Sequence, residues 1–205
     1  MPIKKFIEYL VFGKNPYKKD HNFDLSITDK NAIYHCVLKA YSDLQLRTVK
    51  GLGNVGQDLK QTAKTNITEY LAQKIQTYLN SNNSEDFDSW HKNVCNNIAE
   101  NFHNTTNFVL PFGKIQKLVN MSFKYIFCLP DAQNNISKFK SCHMALDSVI
   151  FAWYNENFQK ADSCWSNISE GQYQKIQTDI RAYCNSKNTF PLLEEFDVWL
   201  KTKKQ

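Results

Sequence analysis

Apolar residues recur along most of this chain three or four positions apart, the spacing of one helical face, and no stretch alternates convincingly with period two. A short helix is expected over Met1–Phe12, followed by a basic loop, GKNPYKKD, at 13–20. Ser26-Ile27-Thr28-Asp29 opens the next helix, with Ile33, Val37, Leu38, Tyr41 and Leu44 along its stripe and an end near Arg47. Ile67, Leu71, Ile75 and Leu79 predict a helix over Ile67–Leu79, and Trp90, Val94, Ile98 and Phe102 another over Phe87–His103. Loops are expected at 80–85 and at Asn104-Thr105-Thr106-Asn107. After a turn at Leu110-Pro111-Phe112-Gly113, Ile115, Val119, Ser122 and Ile126 mark a long buried face, with Leu118 and Leu129 beside it, until Pro130. Lys117 and Lys124, with Lys114 near them, stack on the opposite face. Asp147 stands where VIFAWY should start a helix reaching about Phe158, so its carboxylate can cap the first-turn N–H groups. Ser169 opens a helix that buries Tyr173, Ile176, Ile180 and Tyr183, and Pro191 opens a last one with Leu193, Phe196 and Leu200. The expected fold is all-α, one helical domain over 1–205 or two small lobes sharing a core. No internal repeat supports a solenoid.

Composition narrows the classes. The chain of 205 residues is 42% hydrophobic and 22% charged, which is enough to bury a core without staples. Its net charge is a modest +5, but Lys114, Lys117, Lys124, Lys138 and Lys140 face only Asp131 between Pro111 and Leu146. Such a surface draws phosphate by counterion release, although a solvated lysine face is the bland reading. The six cysteines form no Cys-x-x-Cys pair and no zinc-finger spacing with histidine, so no metal and no cofactor is expected. Glu8 interrupts the only apolar run near the N-terminus, and no run is long enough for a membrane span. A reduced, cytoplasmic, monomeric protein with free thiols is expected.

Gly51-Leu52-Gly53-Asn54-Val55-Gly56 contains Gly-x-Gly-x-x-Gly. A dinucleotide fingerprint needs a strand before it, and none is visible. A second hairpin touching phosphate through backbone N–H groups is another reading. No lysine-then-aspartate pair follows at useful spacing, so a plain interhelical turn is adopted.

The stretch 108–155 carries a turn, a helix with lysines, and an aspartate opening the next helix. This arrangement resembles the helix-hairpin-helix DNA glycosylases, in particular the branch with the archaeal 8-oxoguanine DNA glycosylases. Gln116-Lys117-Leu118-Val119 matches that family's lysine motif, and Ala145-Leu146-Asp147-Ser148 its aspartate motif, 147 − 117 = 30 residues later. The family hairpin reads Leu-Pro-Gly-x-Gly, whereas this chain has Leu110-Pro111-Phe112-Gly113-Lys114.

The resemblance implies a helical fold with a central cleft, duplex DNA as partner, and catalysis by Lys117 and Asp147 on a base flipped out of the stack. Lys117 would be the nucleophile that expels the base and leaves a Schiff base, which can eliminate and nick the strand. Asp147 would stabilise the positive charge that builds at C1′. Gly113, Lys114 and Lys124 would hold phosphate, and His143 phosphate or the target base. Trp153, on the helix that Asp147 opens, is the preferred stacking partner among Trp90, Phe123, Tyr125, Tyr154 and Trp165. The implied substrate is a damaged or modified base such as 8-oxoguanine. The wider glycosylase repertoire also includes phage-defence enzymes that remove glucosylated hydroxymethylcytosine from viral DNA. Each residue also has a plain structural role: helix cap for Asp147, solvated cation for the lysines, surface histidine for His143, core for the aromatics. The rival functions are a non-catalytic helical DNA-binding module and a helical protein-interaction domain.

Overall fold

A computed structural model describes residues 26–81, 86–158 and 164–202. The helix expected at 1–12 and the loop at 13–20 lie outside the described residues, as does most of the loop at 80–85. Within them the fold is all-α. The helices are α1 (Lys30–Ser42), α2 (Gln57–Asn80), α3 (Phe87–Thr106), α4 (Phe112–Ile126), α5 (Ser148–Asn157), α6 (Glu170–Ser186) and α7 (Pro191–Thr202). Short 3₁₀ turns lie at Leu46–Thr48, Leu52–Asn54, Ala132–Lys138 and Trp165–Asn167. No helix among the described residues is long and apolar enough to cross a membrane.

Local chemistry sets the helix ends. The Asp29 carboxylate accepts from Ala32 N at 2.7 Å and starts α1. The helix stops at Ser42, short of Arg47, because Gln45 takes the left-handed conformation at φ 50°. α2 begins at Gln57 rather than Ile67, directly after the glycine-rich turn. α3 runs on through Thr105 and Thr106, whose hydroxyls bond back to the Asn101 and Phe102 carbonyls instead of breaking the helix. It ends at Asn107, again left-handed, with φ 52°. Ser169 and Gln172 form a capping box at the start of α6.

α4 is the axis of the fold. It packs against α1 on one side, against α3 on another, and against the turn at Trp165–Asn167. Every residue of α4 except Phe112 and Lys117 is buried, including Lys114 and Lys124. This corrects the expectation of an exposed lysine face: neighbouring elements cover nearly all of the helix, and only Phe112 and Lys117 keep partial exposure. α7 also sits differently from its sequence pattern. Leu193 and Leu200 are exposed, while Leu192, Glu194, Glu195 and Val198 face inward.

Two apolar clusters result. The larger is built mainly from α1 to α4, with Leu192 and Phe196 of α7, and includes Ile67, Phe87, Leu118 and Phe123. The smaller joins α5, α6 and α7 through Ile150, Tyr154, Tyr173, Ile180 and Val198. Phe112 packs against both.

Candidate functional site

A cavity of about 690 Å³ opens along this seam. Lys117, Met121 and Tyr125 of α4 form one wall. Their spacing of four residues places them on one helical stripe. Asp43, Gln45 and Arg47 approach from the end of α1, and Asp147 and Trp199 from the smaller cluster. The two residues of the lysine and aspartate motifs thus share one cavity.

Asp147 caps α5: one carboxylate oxygen, Oδ1, accepts from Val149 N at 2.9 Å and from Ile150 N at 3.0 Å. Oδ2 accepts no hydrogen bond from a described residue. The cap therefore fixes the group while leaving one oxygen for the cavity. Lys117 is half-buried, and its amine makes no hydrogen bond to a described residue. It lies over the Trp165 ring, 5.1 Å from the centroid. Burial lowers the Lys117 pKa. The charges of Asp147 and Asp43 oppose that shift, and Lys124 adds to it. No ion pair within 4.0 Å joins Lys117 to Asp147.

The relative placement of the two motifs comes from an extended segment, 142–147, threaded through the interior. No strand among the described residues lies beside it, and buried side chains satisfy its backbone. Gln116, next to Lys117, donates to Leu146 O at 2.7 Å and accepts from Leu146 N at 3.2 Å. Gln177 pairs in the same two-way manner with Met144, at 2.8 and 3.1 Å. Glu195 accepts from Ala145 N at 2.9 Å and holds Lys124 at 2.7 Å. Burial pushes the Glu195 carboxyl up, and Lys124 pulls it back down.

The other expected contacts fall elsewhere. Lys114 is buried and donates to Leu44 O at 2.9 Å and Thr48 Oγ1 at 3.2 Å. Lys124 is spent on Glu195. Gly113 faces the Trp165–Ser166 backbone so closely that a Cβ would lie 2.2 Å from Trp165 O. It is a close-packing glycine, not a surface for phosphate. His143 is fully buried and sits between Tyr173 Oη, at 2.7 Å, and Asp88 Oδ1, at 2.5 Å. Arg181 forks onto Asp88 at 2.6 and 2.7 Å and also reaches His143 Nε2 at 2.7 Å. One Nε2 serves either Asp88 or Arg181 at a time. Burial is the largest influence on the ring and favours its neutral form, Asp88 opposes it, and Arg181 assists it. Trp153 packs edge-on against Phe158 and Tyr183, away from the cavity. Six residues past the cap is about one and two-thirds turns, which carries Trp153 to the far side of α5.

Asp43, Arg47 and Trp199 were missed as site residues, and Tyr125 was named only among the candidate stacking aromatics. Tyr125 had a signal, since it follows Lys117 at twice the four-residue spacing. Asp43, Arg47 and Trp199 come from distant parts of the chain and had none. No family model, curated protein or solved structure matches this chain.

Proposed function

We propose that this protein is a DNA glycosylase of the helix-hairpin-helix kind, acting on a damaged or modified base flipped into the seam cavity. The observation that carries this reading is the shared cavity of Lys117 and Asp147, with Gln116 and Leu146, their immediate neighbours, hydrogen-bonded to each other. A lysine of lowered basicity with no hydrogen bond to a described residue, sharing a cavity with a carboxylate that has one open oxygen, suits attack on a carbon that gains positive charge. The neutral Lys117 amine adds to C1′ as the glycosidic bond breaks, and its electron pair leaves with the base, which takes a proton from solvent. Asp147 stabilises the sugar cation and accepts a proton from the attacking nitrogen. Ring opening leaves a Schiff base, from which elimination nicks the strand. Trp199 and Tyr125, which line the cavity, replace Trp153 as stacking partners for the base.

The test uses DNA carrying candidate bases, with alkali to reveal abasic sites and borohydride to trap a covalent complex. Asp147→Asn retains size and capping but removes the charge, so it should fold, bind DNA and lose base release. Lys117→Gln should abolish trapping while weak, water-driven release survives. Trapping by the parent should rise with pH below the ordinary lysine pKa of ~10.4, as the amine deprotonates. If Asp147→Asn releases base at the parent rate under saturating enzyme, Asp147 is only a helix cap and the mechanism is wrong.

A further inference from the structure

On the other side of Arg47 lies a second cavity, of about 470 Å³, between the turn at Leu46–Thr48, the glycine-rich turn and α2. Arg47, Lys60 and Lys64 line it, and no acidic side chain among the described residues does. None of the three forms an ion pair with a described residue. Lys60 and Lys64 are one helical turn apart, so their ammonium groups rise from one side of α2. Both are half-buried and line the groove. Leu46 and Arg47 line this groove and the Lys117–Asp147 cavity alike, so the two are contiguous around one short turn.

The backbone adds to the same surface. Gly51 holds φ +85°, a conformation that favours glycine, and turns the chain onto the head of α2. A Cβ at Gly53 or Gly56 would meet nothing within 4 Å, so the main chain there is open to a partner. Gly56 offers no side-chain cap, so the N–H groups that open this 24-residue helix have no capping side chain at that position. Asp58 is exposed in the first turn but does not line the groove.

We propose that this groove holds the phosphodiester backbone of DNA and leads the strand to the catalytic cavity. The proposal rests on the glycosylase reading for what the cavity does, but the groove itself calls only for a polyanionic strand. It takes the place of Lys114 and Lys124, which are buried, as the phosphate-binding surface. Cations without internal partners, uncapped N–H groups and a shared border with the cavity are what a tracked backbone needs.

The experiment is a salt titration of binding to an unmodified DNA duplex by the full chain, its K60Q/K64Q variant and a control, K140Q/K175Q. The control removes the same charge from exposed positions that line neither cavity. Glutamine retains much of each stem's packing. For K60Q/K64Q the slope of log affinity against log salt should fall by about two units, while the control retains the parent slope. An unchanged slope for K60Q/K64Q overturns the groove and leaves the glycosylase reading standing. A fallen slope in a protein that releases no base supports the groove and removes the enzyme. Absence of DNA binding by the parent at low salt overturns both.

Discussion

Lys124 shows how far one residue's role depends on its surroundings. In the sequence it is one of several lysines that could meet phosphate. In the fold it is a buried cation closing on Glu195, which in turn holds the Ala145 N–H. Removing one member of a buried pair leaves the other charge without compensation. Lys124→Ala should therefore lower stability by about 3–5 kcal/mol, read by urea unfolding. A K124M/E195Q double variant should recover much of that loss, because the glutamine oxygen can still accept from Ala145 N. If Lys124→Ala leaves stability unchanged, the pair is not buried in solution. Asp147, by contrast, was legible as a cap, because an acid before an apolar run has few other local uses. Its place in one cavity with Lys117 was expected from the family resemblance alone, and its open second oxygen was not legible, since both depend on Gln116 reaching Leu146 across the interior.

Among elements, α4 departs most from its pattern. Periodicity located its buried stripe correctly, but polar residues outside that stripe, among them Gln116, Asn120 and Lys124, are buried as well. Each of these three finds partners on elements far along the chain, such as Asn120 with Tyr173 Oη at 2.8 Å. Sequence pattern treats such residues as surface because burial without partners is costly, and their partners cannot be read locally. The head of α4 gives a direct test. Gly113→Ala drives a Cβ into the Trp165–Ser166 backbone, which must move as a whole. Overpacking of this kind should cost about 1–3 kcal/mol, seen as a lower unfolding midpoint. DNA affinity of the folded protein should change little, and a selective loss of affinity without loss of stability would return Gly113 to the phosphate surface.

For the whole molecule, the joint between the two clusters is polar and pH-dependent. His91 and His143 are both fully buried, and burial is the main cause that lowers each pKa. Above pH ~6.5 both are neutral in the folded and unfolded chain alike. Below it the unfolded chain takes up protons that the folded one refuses, so stability is lost as pH falls. Each histidine contributes a slope of up to about 1.4 kcal/mol per pH unit. Asp88, held well below the usual carboxylate range by hydrogen bonds from His143 and Arg181, adds a further loss below pH ~3.9. Glu195 works in the opposite sense, because its raised pKa lets the fold take a proton before the unfolded chain does. Urea unfolding at a series of pH values should show the decline beginning near pH ~6.5. A flat profile down to pH ~5 would mean that the histidines reach solvent in the fold.

Helical periodicity and cap chemistry determined the all-α class, the existence and order of the described helices, and the starts at Asp147 and Ser169, because these depend on contacts within a turn or two. Tertiary structure alone decided that α4 is nearly all covered, that Lys114 and Lys124 are internal, and that Leu192 rather than Leu193 packs inward. It also decided that Arg47 stands between two cavities and that Trp199 rather than Trp153 faces Lys117 and Asp147. These outcomes come from which helices surround which. The pairings that set them, Gln116 with Leu146, Gln177 with Met144 and Glu195 with Lys124, join residues that no local spacing connects.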